Sequence, residues 1–311
     1  MKRIICGILC QLRNCEAGGG LIKCSELPFF HKYLYGQGCG MNRTNYVLSQ
    51  DEWFYLCLLS GATTLFGLEN VPDGLDLQET RQRWEKVSDR LKSKHILTEE
   101  DEDQLYIKRD YAAIAEILSF PDQVFACLVE KNGAVSMEFI HCRAGMFTRL
   151  TGEETCEVQL CTGREEAIAM LRKQFLLSDC EQEAFYPLPA TEANYALALA
   201  GAGEQGAATV LWQKLGIDRQ TSEDLAEAFG PQSDCRVIAG YHLAFGEEAE
   251  ALFTCVRTEK GTWMLGMMPE RSQALLFRRQ PLSALEQLFA FPSMLGKGGE
   301  RLGTEGRSGP H

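Results

Sequence analysis

The sequence is poor in the residues and patterns that announce catalysis. Among its 311 residues there are only five histidines, and no H-E-x-x-H, P-loop or G-x-S-x-G pattern occurs. That removes the common signatures of metalloproteases, phosphate-binding NTPases and α/β-hydrolases. No apolar run approaches the ~18 residues of a membrane-spanning helix. Basic residues are outnumbered, 31 Lys and Arg against 43 Asp and Glu, for a net charge of −12. This balance argues against non-specific binding to nucleic acid or to an anionic membrane. Cysteine is not scarce, at 13 residues, but the Cys-x-x-Cys spacing of a zinc site is absent.

Five of those cysteines, Cys6, Cys10, Cys15, Cys24 and Cys39, fall in the first 40 residues, around the run Gly18-Gly-Gly20. This leader carries five Lys and Arg against two Glu, while residues 41–311 carry 26 basic and 41 acidic residues. Its apolar stretch after Lys2-Arg3 is short and lacks a small-residue cleavage site, so it is a poor signal peptide. Its composition predicts that Met41 opens the native protein and that 1–40 is an atypical leader. Several later cysteines sit in apolar runs such as Phe125-Ala-Cys127-Leu, which predicts buried thiols of a reducing compartment. Residues 296–311, rich in Gly, Ser and charge, read as a disordered tail.

What the chain does have is an internal repeat. Leu48, Glu52, Tyr55, Leu59 and Gly61 match Leu188, Glu192, Tyr195, Leu199 and Gly201 at one offset, and Phe125, Cys127 and Gly133 match Phe253, Cys255 and Gly261 at another. Such long-period similarity points to duplication. Ser49-Gln-Asp-Glu52 is a capping box that starts a helix ending near Gly61. Trp84, Val87 and Leu91 share one stripe of a helix over 78–94. Asp110 caps a third helix that stops at Phe120-Pro121. Strands follow over 124–130, 134–142, 146–151 and 157–161, with a turn at Lys131-Asn-Gly133, then a helix over 163–177. Pro187 and Pro189 mark a joint. The second half predicts helices over 192–200, 207–215 and 222–229, the last capped by Ser222. Strands follow over 235–245, 249–258, 262–268 and 273–278, and a helix over 281–290 with Pro281 in its first turn. The fold class is α+β. It is a quasi-two-fold duplicated body, 41–180 and 181–295, each half helices plus a four-stranded antiparallel meander and a closing helix.

Gly201-Ala-Gly203-Glu-Gln-Gly206 satisfies the dinucleotide-binding pattern, in which glycines let backbone amides approach a pyrophosphate. A nucleotide-binding enzyme is therefore an alternative reading. Against it, the repeat partner at 53–61 is helical and no strand–helix alternation follows. The basic helix at 78–94, with Arg81, Arg83, Lys86, Arg90, Lys92 and Lys94, admits a winged-helix-like regulator, but the acidic run Glu99–Asp103 beside it would repel phosphate. His141 and Cys142 are neighbours on a strand and point to opposite faces, so they cannot work as a pair. His95 and His242 have no ligand spacing, and Glu247, Glu248 and Glu250 read as solvated charge.

Four stretches resemble the type VII (ESX) secretion-associated chaperones of the EspG family. They are the opening Leu48-Ser-Gln-Asp-Glu-Trp-Phe-Tyr, the helix end Arg90-Leu-Lys-Ser-Lys-His-Ile-Leu97, the passage Ala115-Glu-Ile-Leu-Ser-Phe-Pro121 into strands, and the late Lys260-Gly-Thr-Trp-Met with Met268-Pro-Glu-Arg. The resemblance covers about Tyr46 to Leu288 and does not include the leader. It implies a quasi-two-fold α+β body and a cytoplasmic chaperone without catalysis or cofactor. The implied partner is a helical secreted protein or protein pair, held before export, with no nucleic acid and no membrane insertion; a homodimer is the other association expected. Methionine-rich surfaces adapt to varied helical partners. On that ground the expected contacts are Trp263, Met264, Met267 and Met268 on the late hairpin, Leu285 and Phe289 on the last helix, and Met146 and Phe147 in the first half. Met137 and Phe139 lie in the strands that correspond. The competing expectation is that these side chains fill the core.

Overall fold

The computed structural model describes residues 21–23, 45–62, 65–68, 77–99, 105–131, 134–152, 154–161, 163–242, 251–268 and 272–296. Most of the leader, the turn at 132–133, the acidic triplet at 247–250 and the tail beyond Gly296 lie outside them. The chain forms two compact units, one of residues 1–126 and 136–167 and one of residues 127–135 and 168–311. The second unit thus takes in 168–180, which the sequence assigns to the first half, and a short piece near residue 130.

The first unit opens with β1 (Leu21–Lys23), β2 (Asn45–Ser49), α1 (Gln50–Leu59), α2 (Leu77–Ser93), β3 (Leu97–Glu99), β4 (Leu105–Lys108) and α3 (Arg109–Ser119). The capping box forms as predicted. The Glu52 amide donates to Ser49 Oγ at 3.3 Å, and the Ser49 amide donates to the Glu52 carboxylate at 2.7 Å. Helix α1 is buried nearly all round, with Trp53, Leu56 and Cys57 inaccessible. That is what its unbroken apolar run requires. Helix α2 turns Val87 and Leu91 inward and sets Trp84 against Tyr55, with ring centroids 5.4 Å apart and the planes tilted by 43°. Helix α3 starts after Lys108, which makes no side-chain cap, so Asp110 sits in the first turn and does not cap it. Here the dipole favours the carboxylate without a capping bond.

The β-strands of the first unit follow: β5 (Gln123–Lys131), whose later residues join the second unit, β6 (Ala134–Arg143), β7 (Met146–Thr151) and β8 (Thr155–Cys161). The order β2-β8-β7-β6 is antiparallel throughout. Tyr46 and Leu48 from β2, Leu150 from β7 and Cys156, Val158 and Leu160 from β8 meet α1, α2 and α3 in one core. A separate small sheet orders β1-β4-β3. The sequence reading missed it, since strands this short leave no period to detect.

Helix α4 (Arg164–Gln174) leads into the second unit. There follow β9 (Ala184–Pro189), α5 (Ala190–Gly201), α6 (Gln205–Lys214), α7 (Arg219–Ala228), β10 (Cys235–His242), β11 (Ala251–Thr258), β12 (Gly261–Met268), β13 (Gln273–Arg278) and α8 (Pro281–Gly296). The order is β10-β11-β12-β13-β9, again antiparallel. Trp212, Leu225, Trp263, Leu265 and Leu276 form the centre of this core. Pro187 and Pro189 are part of strand β9, where the sequence suggested only a joint. Helix α7 is capped by Asp218, which accepts from the Thr221 amide at 2.9 Å. Ser222, the predicted cap, is buried one turn in and bonds back to the Asp218 carbonyl at 2.8 Å.

In the larger sheet of the first unit and in the sheet of the second, the strand just before a helix, β2 or β9, pairs with the last strand, and the preceding strands meander away from it. Thus β2-β8-β7-β6 corresponds to β9-β13-β12-β11. The first repeat offset agrees, since Leu48 and Leu188 end equivalent strands and Tyr55 and Tyr195 lie on the helices that follow. The second offset does not. Phe125 is on β5 and Phe253 on β11, whereas strand order sets β11 against β6. Apolar strands flanked by glycine turns look alike, so the short match slips by one strand.

Candidate partner-binding surface

The chemistry-bearing candidates resolve first. Gly201 closes helix α5 and Gly206 lies in α6, with the turn between them made by Gly203 at φ +83°. A strand before the first glycine is what a pyrophosphate turn needs, and a helix stands there. The His141 side chain is fully buried. Its Nε2 lies 3.2 Å from the Phe66 carbonyl and its Nδ1 has no partner among the described residues. Burial pushes its pKa down to about 4, partly opposed by that bond, so the ring is neutral near pH 7. Burial also pushes Cys57 up to about 12, and Cys156 and Cys161 up to about 11. Cys255 is raised well above the usual thiol range by burial, then by Cys235 and Cys127. A thiol held protonated is a poor nucleophile and a poor metal ligand. Among the described residues no group of three or more His, Cys, Asp or Glu could hold a metal ion.

The basic helix is largely neutralised by carboxylates. Arg83 reaches Asp51, with Nε 3.2 Å from Oδ2. Lys94 reaches both oxygens of Glu52 at 2.7 and 2.8 Å, and Arg90 approaches at 3.9 Å. Arg81 pairs with Glu85 one turn on, and Lys92 with Glu99. A helix face engaged in this way has little charge left for phosphate. Glu52 is only 1% exposed. Burial alone would raise its carboxyl, but the Lys94 ammonium and the Ser49 amide and hydroxyl outweigh that and hold it below the ordinary value.

The predicted contact residues divide by exposure. Trp263 and Met267 lie on the face of β12 that packs on α5, α6 and α7, in the second unit's core. Arg278 lies over the Trp263 ring at 4.6 Å. Met264 points the other way, between Cys255 and Phe277 on the neighbouring strands, and is equally buried. Leu285 is buried on α8, and Phe289 is half-buried. Met146 packs against the first unit's core while Phe147, on the opposite face of β7, is half-buried. The Met268 side chain falls outside the described residues. Of the hairpin methionines, Met264 and Met267 are thus packed inside the second unit.

Other apolar side chains are exposed instead. In the second unit Tyr195 on α5 is 61% exposed and Val210 on α6 is 51% exposed; Phe185 on β9, Leu252 on β11 and Leu282 on α8 are also exposed. In the first unit Val47 on β2 and Met137 on β6 are exposed. Only Met137 and Tyr195 were singled out in the sequence, the latter as a repeat match. The turn Glu259-Lys260 borders a polar cleft of about 860 Å³, lined by Arg172, Asp179, Asp224, Glu227 and Arg257 among others. Lys260 pairs with Asp224 across it. The cleft carries both signs of charge.

No protein-family model matches this sequence, and no curated protein matches it. Solved structures do. The type VII secretion system chaperone EspG5 of Mycobacterium tuberculosis, in complex with a PE25–PPE41 dimer, superposes with a TM-score of 0.53. The match covers 79% of this chain and 94% of that one at 13% sequence identity. The chain therefore resembles the EspG-type chaperones in fold, as the short motifs implied, and does so over most of its length.

Proposed function

We propose that the protein is a cytosolic chaperone that holds a helical type VII secretion substrate, a single protein or a pair, before export, and that it performs no catalysis. The observation that carries this reading is the fold shared with EspG5 across nearly the whole of that chaperone. The exposed Tyr195 and Val210, on helices that pack against each other, suit a helical client. The half-buried Met146, Phe147 and Phe289 are the further contacts expected for a client, with Trp263, Met264, Met267 and Leu285 as the packed support behind the surface. The test is affinity capture of the full chain from native lysate, followed by mass spectrometry and reconstitution with the recovered protein. The expected result is a stoichiometric, secreted, helical partner that aggregates when expressed alone and stays soluble with the chain. A chain that purifies without a partner, or a partner equally soluble alone, would overturn the reading.

A further inference from the structure

Strands β2 and β9 are equivalent in the duplicated topology, yet their outer edges differ. In the second unit the Ala190 amide donates to the Ser272 carbonyl at 3.0 Å. In the register of β9 on β13, Tyr186 and Leu188 are therefore the residues that bond to the sheet, and Phe185, Pro187 and Pro189 face outward. Proline has no N–H, so the β9 edge cannot donate at either position. In the first unit the Gln50 amide donates to the Glu154 carbonyl at 3.1 Å. By the same alternation Asn45, Val47 and Ser49 face outward from β2. Val47 and Ser49 stand where the repeat places Pro187 and Pro189. The capping box takes the Ser49 amide. The N–H and C=O of Asn45 and Val47 and the C=O of Ser49 are left facing outward, with no strand beside them among the described residues. Native sheets close such edges with proline, charge or a cover. Strand β2 carries no charge, and Val47 is 54% exposed.

We infer that β2 pairs antiparallel with β2 of a second copy of this chain, about a two-fold axis through Val47. The sequence Asn45-Tyr-Val-Leu-Ser49 is its own complement in this arrangement. The two Val47 residues exchange N–H···O bonds, and each Asn45 amide donates to the other copy's Ser49 carbonyl, so the occupied Ser49 amide is not needed. Tyr46 and Leu48 stay in their own core. The residue opposite Val47 on β8 is the charged Glu157. Its counterpart would lie three strand spacings away, about 14 Å. That exceeds the screening length of about 8 Å in physiological salt, so repulsion there is weak. A strand of five residues buries much less than the roughly 1,200 Å² of a standard interface, so the dimer is concentration-dependent.

Sedimentation velocity of the full chain, from micromolar to near-millimolar, tests this. The expected result is a mass that climbs from monomer toward dimer. Val47→Pro and Val47→Lys should hold the monomer mass at every concentration, with circular dichroism and melting temperature unchanged, because the Val47 amide makes no bond among the described residues. Pro187→Val with Pro189→Val, added to Val47→Pro, should restore association by opening the second edge. A wild-type chain that stays monomeric throughout overturns the inference, including one whose Val47 amide is protected from hydrogen exchange by its own polypeptide or by a client. A dimer that persists in both Val47 variants overturns it equally.

Discussion

Removing the Glu52 carboxylate should cost the first unit far more than removing its repeat partner Glu192. Both residues occupy the third position of the helix after an edge strand. Glu52 is 1% exposed, accepts from the Ser49 amide, and receives Lys94 on both oxygens. Glu192 is exposed. Glu52→Ala loses the reciprocal half of the capping box, worth about 1 kcal/mol. It also loses the charge-assisted bonds from Lys94. Lys94 is 44% exposed, so those bonds are screened and Lys94 returns to water when abandoned. The penalty for an orphaned buried charge does not apply, and the pair contributes a further ~1 kcal/mol. With the small cavity left by the trimmed side chain, the loss is about 2–3 kcal/mol, against less than about 0.5 for Glu192→Ala. Glu52→Gln keeps an acceptor for the Ser49 amide and should fall between them. Because the folded carboxyl titrates below its unfolded value of 4.5, the contribution is complete above that pH and is lost as pH falls through the folded pKa. The assay is urea unfolding followed by tryptophan fluorescence, since Trp53 lies on the same helix. A Glu52→Ala chain within 0.5 kcal/mol of wild type, or a Glu192→Ala chain equally damaged, would refute the reasoning.

Three further outcomes are expected. His141 is buried neutral with a folded pKa of about 4 against 6.5 unfolded, so the unfolded chain binds the extra proton between those values. Stability should therefore fall by up to about 3 kcal/mol as pH drops from 6.5 toward 4, and His141→Leu should flatten that part of the pH profile. Cys57, Cys156, Cys161 and Cys255, buried and held protonated, should resist iodoacetamide at neutral pH until the chain unfolds. Site-resolved mass spectrometry of alkylated peptides reads this directly, and labelling of these four in the folded protein would contradict the burial. Met264→Asp should abolish cooperative unfolding of the second unit and not merely weaken a partner, because Met264 is 1% exposed between Cys255 and Phe277. A folded Met264→Asp chain that has lost its partner would place that side chain at the surface after all.

Signals confined to one turn of chain were legible in the sequence, and signals that depend on neighbours were not. Ser49 and Glu52 are three residues apart and satisfy each other, so their capping box is a local fact that the fold preserves. Strands β7 and β13 begin and end where their composition changes. The face that a strand turns to the core is a different matter. Trp263-Met-Leu-Gly-Met267 is apolar at both parities, so no alternation distinguishes an inward methionine from an outward one. Helices cover one face of β12, and Met264 is buried on the other between its strand neighbours. Of the methionines that suggested a grip, Met264 and Met267 are buried. The same blindness to neighbours hid the meaning of Pro187 and Pro189. Alone they read as a break in structure, because proline is excluded from central strands. Only the register on β13, which puts both at outward positions, makes them compatible with a strand and explains why two are spaced by two. The repeat then makes Val47 the informative residue. Its ordinary, uncharged side chain stands where the equivalent edge has a proline, so what singles it out is that β2, among the described residues, has neither proline nor charge nor a neighbouring strand on that side.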